Sequence, residues 1–401
     1  MRRKIIVIFF IVLTFIFLEW GESILPTRLE LNEVQVTELI GLDLTDNKEV
    51  ALSVVFEQQK EGQENDDTKA SQSEKVLTIT AKTFSDDERG LQNYQDKIFI
   101  GSHVKSILLG EKLAQNSLLR GVDYISKNNE IRSKSNIYLV RESSASKLFS
   151  EGNENNYKMA RRMDNITDNT RFETEAREIT LWELVDIFLS DEKIGVIPCV
   201  ELVENGKKQL ASYLLDEVSE SSDAKRIELA GYGIINGGRL IGYLNEDETD
   251  GYDYIKNIIK QDTMSLNVNE AIYGVNLIGS KTDLNFEFLG DALTKVIVKT
   301  KTNNFVGETY YGENIFNTNR EEIENAENEF IKNKILAVID RAKIEKVDFI
   351  GVGKILQFKH PYKWLKIKEE WKEIFYNVPF EVQVISELNK EYDIVSTINQ
   401  E

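Results

Sequence analysis

The stretch HVKSILLGEKLAQNSLLRGVDYISKNNEIR, residues 103–132, places an apolar strand directly in front of a helix. Residues 104–109 form a short apolar run, which predicts a buried β-strand. Residues 110–115 then begin a helix, and residues 118–125 continue it at helical spacing. Strands that alternate with helices along a chain are typical of an α/β fold.

Further strands and helices are predicted on both sides of this unit. Upstream, residues 39–44 and 50–56 are β-like and flank a polar turn at 45–48, which predicts a hairpin. Downstream, residues 137–141 predict a strand and residues 180–189 an amphipathic helix. The predicted fold class is therefore α/β (α+β), a mixed arrangement of several units without an internal repeat.

The chain is expected to divide into four segments. Residues 1–23 are a signal sequence or membrane anchor, and residues 24–193 an amino-terminal α/β domain. Residues 194–263 form a middle β-rich domain. Residues 264–401 form a carboxy-terminal α/β domain with a long helix at 319–346.

Three further segments of the chain show distinct local patterns. The long helix is expected to begin at Asn319 as N-cap, with Glu322 at the third helical position. Residues 151–178 are polar and are assigned no helix or strand. Residues 271–278, 283–289 and 296–300 are three separate β-like runs.

Composition excludes several classes of protein. The formal net charge of the 401 residues is −19, and such a surface repels the phosphate backbone of nucleic acids. Cys199 is the only cysteine, so no intrachain disulfide forms, and its apolar flank predicts a buried thiol rather than a nucleophile. His103 and His360 are far apart in sequence and show no metal-ligand spacing. No catalytic residue, cofactor or metal is predicted.

The most suggestive acidic segment is LIGYLNEDETDGYDY, residues 240–254, where oxygen ligands crowd together as in a calcium loop. A calcium loop that began at Asn245 would need glycine where Asp250 stands and a bidentate acid where Lys256 stands. Both requirements fail. Residues 248–251 are instead expected to form a turn and to cap the helix that follows.

The segment FKHPYKWLKIKEEWKEIF, residues 358–375, combines aromatic and basic side chains. Trp364, Trp371 and Phe375 recur at helical spacing, which predicts a core-facing aromatic helix. Its basic patch consists of Lys366, Lys368 and Lys372. We interpret this patch as a solvated helix face, with lipid headgroups or an acidic partner as alternatives.

Five segments in order along the chain resemble the Ger(x)C, or GerAC, family of spore germination proteins. The quoted stretch 103–132 is similar to the family's histidine, apolar strand, Gly-Glu-x-Leu-Ala motif and helix with a charged end. The others are residues 30–43, GYGIINGGRLIGYLNEDE at 231–248, DFIGVG at 348–353, and the PYKW motif at 361–364 with a later tryptophan. The matching motif positions are Glu30, Gly41, Asp43, His103, Gly110, Glu111, Arg132, Gly242, Glu248, Asp348, Gly351, Pro361, Trp364 and Trp371.

The resemblance implies a fold of three α/β domains and no catalytic residues. It implies a lipoprotein outside the inner membrane of bacterial endospores, which acts with a polytopic A subunit and a transporter-like B subunit in nutrient-triggered germination. The expected function is therefore a non-enzymatic accessory C subunit of a germinant receptor. Two alternatives stay open: an exported solute-binding protein, and a hydrolase that uses the carboxylates of residues 245–250.

The amino-terminal segment departs from the family pattern at one position. Residues 2–4 are basic, and residues 5–18 form an apolar run of signal-sequence length. As a helix this run covers roughly 21 Å, less than the hydrocarbon core of about 30 Å. Family members carry a lipobox cysteine before tryptophan, but here Glu19 precedes Trp20, so no lipid thioether forms. We expect an uncleaved anchor, with cleavage before Ile24 as the alternative.

Overall fold

The computed structural model has a mixed α/β architecture, which confirms the predicted fold class. It describes residues 33–58, 73–94, 97–154, 158–169, 176–204, 225–259, 261–269, 271–310 and 320–389. The predictions for the anchor and Glu19, for the motif residue Glu30 and for the N-cap Asn319 lie outside the described residues. Within those ranges, no helix has both the length and the apolar character needed to cross a bilayer.

Ten strands of the described chain form one sheet, which together with its helices we call the first lobe. The strands are β1 (Val34–Leu44), β2 (Val50–Gln58), β3 (Ser73–Ala81), β4 (Ile98–Ile100), β5 (Ser106–Gly110), β6 (Asn136–Val140), β7 (Ile179–Thr180), β8 (Gly195–Glu204), β9 (Lys225–Asn236) and β10 (Arg239–Tyr243). Their spatial order is β10-β9-β8-β6-β5-β1-β2-β3, with β4 beside β1 and β7 beside β6. The central strands β1, β5, β6 and β8 run parallel, and antiparallel strands flank them.

Helices cover both faces of this sheet. They are α1 (Phe84–Tyr94), α2 (Glu111–Lys127), α3 (Ala145–Glu154), α4 (Met159–Asn169) and α5 (Leu181–Leu189). Helices α1, α2 and α5 pack on one face, and α3 and α4 pack on the other. All five residues of β5 are consequently buried, which is why this strand has a continuous apolar sequence.

The hairpin and the strand–helix unit predicted for the first lobe are present, whereas one helix was not predicted. Leu44 pairs with Val50 across the predicted hairpin turn. The quoted stretch forms β5 and α2, with a kink at Ser117, whose φ is −149°. Helix α4 lies in the polar stretch 151–178, to which no element was assigned. Its apolar side chains form a narrow stripe in a polar sequence, and burial against the sheet stabilises it.

The second lobe contains a four-stranded sheet of order β11-β12-β13-β14 among the described residues. Its strands are β11 (Asp262–Val268), β12 (Ala271–Leu289), β13 (Ala292–Tyr310) and β14 (Phe380–Leu388). Its helices are α6 (Glu246–Lys256), α7 (Arg320–Glu345), α8 (Val352–Lys359), α9 (Pro361–Ile367) and α10 (Trp371–Asn377). These helices share one apolar core with the sheet.

Two predictions for the second lobe need correction. The three separate β-like runs between residues 271 and 300 belong to two continuous 19-residue strands, β12 and β13, because backbone pairing continues through their polar positions. The predicted aromatic helix is broken into α9, a 3₁₀ turn at Lys368–Glu370, and α10. Trp371 and Phe375 are nevertheless buried, as a core role requires.

The start of α6 also differs in detail from the prediction. Asn245, rather than residues 248–249, is the N-cap: its side chain accepts from the Glu248 main-chain N–H at 2.8 Å, and Glu248 Oε2 accepts from the Asn245 N–H at 2.9 Å. Asp250 and Gly251 lie inside α6 instead of forming a turn. Asp250 forms an ion pair with Lys334 of α7, and this packing overrides the local turn preference.

The two lobes are joined by a shared core. Val196 and Tyr232 of the first lobe are buried in the same apolar cluster as Val352 and Trp371 of the second. The sheets divide the described chain after Tyr243, whereas the domain boundaries expected from the sequence stay predictions. The surface between the lobes is therefore an internal, packed surface rather than a flexible linker.

Helix α7 carries a buried carboxylic acid on the face that packs against the sheet. Glu327 has no exposed surface, and Thr302 Oγ1 donates a hydrogen bond to it at 3.0 Å. Asn304 Nδ2 in turn donates to Thr302 Oγ1 at 2.9 Å. Burial raises the pKa of Glu327 to about 7, although its hydrogen bonds oppose the shift.

Glu327→Gln is expected to remove one source of pH-dependent stability. Since the folded-state pKa is about 7 and the ordinary value is 4.5, the folded chain resists ionisation. This contribution to the free energy of unfolding is full below pH 4.5 and is lost as the pH rises through about 7, by roughly 3 kcal/mol. Urea unfolding near pH 4.5 and near pH 8 measures the difference between variant and wild type, which should increase toward the higher pH.

The matched control is Glu321→Gln, at an exposed position in the first turn of α7. Its offset from wild type should be the same at both pH values. An offset for Glu327→Gln that is also independent of pH would show that the pKa of Glu327 is not raised in the folded protein.

Candidate functional site

Three motif residues of the first lobe, Gly41, Asp43 and Gly110, meet at the start of α3. The Asp43 side chain stands near the end of β1 and is 4% exposed. Its Oδ1 accepts from the Ala145 N–H and its Oδ2 from the Ser146 N–H, both at 2.8 Å. It thus caps the first turn of α3 from a distant part of the sequence. Burial raises the pKa of Asp43, and these two hydrogen bonds oppose the rise.

Two motif glycines make room for this contact. A Cβ on Gly110 would lie 1.9 Å from Asp43 Oδ1, and a Cβ on Gly41 would lie 2.7 Å from the Cβ of Ala145. No side chain fits at either position while α3 stays docked. The Gly-x-Asp and Gly-Glu motifs therefore have a packing role here.

Glu111, the next motif residue, joins α2 to the edge of the sheet. Tyr243 in β10 donates a hydrogen bond from its hydroxyl to Glu111 Oε1 at 2.8 Å. The Arg141 guanidinium lies 4.9 Å from the centre of the Tyr243 ring. This arrangement holds β10 in place.

The second lobe contains a comparable centre at Asp348. Its carboxylate accepts from the N–H groups of Val352 at 2.8 Å and Gly353 at 2.7 Å, and from Trp371 Nε1 at 3.0 Å. The N-terminus of α8 is thereby capped and tied to α10. Burial raises the pKa of Asp348 to about 6, and the three donors oppose the rise.

The other motif residues of this region surround the Asp348 centre. Gly351 has a φ of 74°, in the left-handed region that favours glycine. The rings of Trp364 and Trp371 meet edge to face with centroids 5.3 Å apart. A Cβ on Gly353 would lie 2.7 Å from Trp371 Nε1. The DFIGVG and tryptophan motifs, far apart in sequence, thus form one packed unit.

The remaining motif positions are not brought together. His103 and Arg132 are exposed on the first lobe, and Pro361 is exposed at the start of α9. Gly242 in β10 faces Arg341 of α7, where a Cβ would lie 2.8 Å from Nη2. Glu248 completes the capping box of α6. The motif positions therefore do not converge on one reaction centre.

A cleft of ≈ 700 Å³ lies between the lobes, beside the Asp348 centre. Trp182 of α5 lines the first-lobe side, and this ring is 67% exposed. Lys256 at the end of α6 lines the other side, together with Asp348, Trp364 and Trp371. Eleven charged residues, seven acidic and four basic, also line this cleft.

Lys256 places a largely buried ammonium group in the wall of the cleft. Its ammonium lies 5.6 Å from the centre of the Tyr252 ring. Burial lowers the pKa of Lys256, and the charge of Asp348 opposes the fall. The ammonium lies against the backbone of Gly351, where a Cβ would be 2.9 Å away. A cation held in this way can pair with an anionic group that enters the cleft.

Behind the cleft, a buried hydrogen-bonded pair connects the lobes. Tyr232 of β9 donates from its hydroxyl to Asp253 Oδ1 of α6 at 2.8 Å. The Arg177 N–H donates to the same tyrosine oxygen at 2.6 Å. Burial raises the pKa of both Tyr232 and Asp253.

Sequence reasoning missed Trp182 and Lys256. Trp182 lies off the apolar stripe of α5, and a large aromatic at such a position is a usable signal for a binding surface. In the sequence, Lys256 is notable only because it stands where a calcium loop would need a bidentate acid. Of the acidic residues in that segment, Glu248 forms the capping box of α6 with Asn245, and Asp250 forms an ion pair with Lys334.

The described residues give no support for metal or thiol chemistry. Across those ranges no three histidine, cysteine, aspartate or glutamate side chains are grouped to hold a metal ion. Cys199 has no exposed surface, and burial raises the pKa of its thiol. His103 lies on the first lobe, whereas the ring of His360 packs edge-on against Phe288 in the second.

Gly110→Ala is expected to lower the free energy of unfolding by about 3 kcal/mol. The added methyl cannot coexist with Asp43 Oδ1 at 1.9 Å, so the cap of α3 must break or β5 must shift. Urea unfolding of the full chain measures the loss. Gly279→Ala is the control, because no atom lies within 4 Å of its Cβ position. Equal stability of the two variants would contradict the packing role of Gly110.

Asp348→Ala is expected to cost about 3 kcal/mol, since it leaves two main-chain N–H groups and the Trp371 indole N–H without their acceptor. The tryptophan fluorescence spectrum should change with it, because Trp371 loses its partner. Asp348→Asn keeps one carbonyl oxygen and should lose less. The exposed Asp340→Ala on α7 serves as control. An Asp348→Ala variant as stable as this control would refute the capping role.

Comparison with known proteins gives consistent matches over most of the chain. Residues 27–202 match the model of the spore germination protein N-terminal domain, and residues 230–391 match the model of the spore germination B3/GerAC-like C-terminal domain. Spore germination protein B3 of Bacillus subtilis (strain 168) is 23% identical over 331 residues, covering 80% of this chain and 82% of that protein. Spore germination protein KC of the same organism is 23% identical over 297 residues, or 70% of each.

A solved structure shows the same fold. The crystal structure of the GerBC protein superposes with a TM-score of 0.55 at 18% identity, covering 87% of this chain and 96% of that one. The two family models together cover nearly all the described residues of both lobes, in the order expected from the sequence motifs. The chain therefore belongs to the GerAC family of spore germination proteins.

Proposed function

We propose that this protein is a non-enzymatic C subunit of a spore germinant receptor that acts with a polytopic A subunit and a transporter-like B subunit. The observation that carries the proposal is the match of both family domains, in order, over residues 27–202 and 230–391. Two relatives that match most of this chain are themselves named spore germination proteins. The proposed place of action is the outer face of the inner spore membrane.

The geometry of the motif residues supports a non-enzymatic role. Asp43 and Asp348 accept hydrogen bonds from main-chain groups and cap helices, and Glu111 accepts from Tyr243. These acids are therefore committed to holding the scaffold. A hydrolase that uses residues 245–250 finds little support, since Asn245 and Glu248 form a capping box.

Solute binding is a second candidate, and the cleft between the lobes favours it. Its tryptophan rings suit the apolar part of a ligand, and its seven acidic and four basic lining residues suit a ligand that carries charges of both signs. Within a receptor, such a site would let ligand binding alter the contact between the lobes. The variants Trp182→Ala and Lys256→Met address this candidate, because they change the cleft and remove no hydrogen bond of the Asp43 or Asp348 caps.

Membrane attachment is part of the proposal and concerns residues outside the described ranges. The apolar run 5–18 would hold the protein as an uncleaved anchor, because Glu19 stands where relatives carry the lipidated cysteine. The basic residues 2–4 would stay on the cytoplasmic side, which leaves both lobes outside.

Deletion of the gene is expected to abolish or slow germination on at least one nutrient. Spores of the deletion strain, of a complemented strain, and of strains that carry Trp182→Ala or Lys256→Met are tested on each nutrient separately. Complementation by the wild-type gene controls for polar effects on neighbouring genes. Normal germination on every nutrient, in a strain without sister receptors, would refute the receptor role.

Two further results separate the candidates. Co-purification of the tagged full chain with polytopic membrane proteins from spores would support the A and B partnership. Cleft variants that germinate normally, in a strain that requires the gene, would exclude solute binding in the cleft and leave the receptor role intact.

A further inference from the structure

Four large apolar side chains project into solvent at one corner of the second lobe. They are Leu289 (79% exposed), Phe358 (87%), Tyr362 (83%) and Leu365 (62%), and we call this set the apolar corner. Single exposed apolar residues are common on proteins, but several large ones at one place usually mark a contact surface.

The apolar corner is one continuous structure because α8 and α9 are fastened to the end of the β12–β13 hairpin. Lys359 Nζ pairs with Asp283 at 2.6 Å and donates to the Leu284 carbonyl at 2.7 Å. Lys363 Nζ donates to the Gly290 carbonyl at 2.6 Å. The hairpin end, which carries Leu289, is thus held beside the helices that carry Phe358 and Tyr362.

Aromatic packing beneath the corner stiffens this junction. The His360 ring meets Phe286 and Phe288 edge to face, with centroids 5.9 Å and 5.3 Å apart. Pro361 starts α9 directly after this histidine. Phe286 and Phe288 therefore fill the space beneath the corner. The four corner side chains remain exposed to solvent.

The helices of this corner have a charge opposite to that of the whole chain. Residues 352–377 carry six lysines and three glutamates, a net +3, in a chain of net −19. Part of this charge is balanced by Asp283 and Asp291 of the hairpin. Lys354 and Lys372 are exposed, and neither forms an ion pair within the described chain; Lys354 lines the cleft, which leaves Lys372 as the exposed lysine of these helices outside it without an ion pair.

We propose that the apolar corner docks into the headgroup region of a phospholipid bilayer. Side chains that are four-fifths exposed stand clear of their neighbours, so they suit a soft surface that closes around them better than a rigid protein surface. Phenylalanine, leucine and tyrosine partition into the membrane interface, and neighbouring lysines reach lipid phosphates. This contact would be separate from the amino-terminal anchor.

The length of chain before the first lobe makes such a second contact useful. Fourteen residues, 19–32, separate the apolar run from Glu33, the first described residue, and they span at most roughly 50 Å. This step rests on the proposed anchor, which would limit the distance of the lobes from the bilayer without deciding which face approaches it. Under that limit, weak insertion of a few side chains suffices to orient the protein.

The buried Cys199 allows a direct test on the full chain, since an introduced cysteine becomes the reactive one. Phe358→Cys and Tyr362→Cys are labelled with a polarity-sensitive dye and reconstituted into vesicles of phosphatidylcholine and phosphatidylglycerol, with or without lipids that carry a quencher in the headgroup region. Leu119→Cys and Ile344→Cys are controls at exposed apolar positions outside the corner, 50% and 73% exposed.

The proposal predicts a blue shift and lipid quenching at positions 358 and 362 and neither effect at 119 and 344. Adding Leu289→Asp and Leu365→Asp to the Phe358→Cys chain should abolish the quenching. An unchanged urea-unfolding midpoint of this variant would show that the lobes stay folded. Water-like emission at 358 and 362 on vesicle-bound protein would overturn the proposal. A blue shift that requires polytopic partner subunits would also overturn it and would assign the corner to a protein. The test uses no spores, so it is independent of the germination experiment.

Discussion

The carboxylate of Asp43 lies where β1 and β5 end and α3 begins, and the first lobe depends on that junction. It satisfies two N–H groups at the start of α3, and it fits only because Gly110 has no side chain. Residues 43, 110 and 145 are far apart in sequence, so the contact fixes the order of three segments at once. Breaking it would release α3 from one face of the sheet and leave a buried charge without its donors.

The second lobe uses the same physical device at Asp348, which caps α8 and also holds the Trp371 indole. Both aspartates are family-motif positions, and both are surrounded by motif glycines that a side chain could not replace. The motifs that carry the resemblance therefore describe how helices dock on this scaffold. The surfaces available for function lie beside these motifs. They are the cleft between the lobes and the apolar corner.

The sequence predicted local structure well and distant contacts poorly. The β1–β2 hairpin and the β5–α2 unit follow from apolar runs, a polar turn and helical spacing, which are all local patterns. Nothing local to Asp43 indicates a partner at Ala145. Helix α4 depends on burial against the sheet, which a local pattern does not show. The Asp250-Gly251 pair has the local sequence of a turn, but it lies inside a helix because Lys334 of α7, 84 residues away, pairs with Asp250. The cleft was invisible for the same reason, since Trp182 and Lys256 come from different lobes.

The acidity of the chain and its proposed contact with a membrane are compatible once distance and protonation are considered. Burial raises the pKa of Glu74, Asp87 and Glu327 to about 7 each, so near neutral pH these acids carry only part of their formal charge. Screening at physiological salt limits the effect of the remaining charges to about 8 Å. A bilayer therefore senses the surface that faces it rather than the total of −19. The helices of residues 352–377 together with Asp283 and Asp291 of the hairpin carry +3 − 2 = +1, so this corner is far less acidic than the chain as a whole and can approach a headgroup surface.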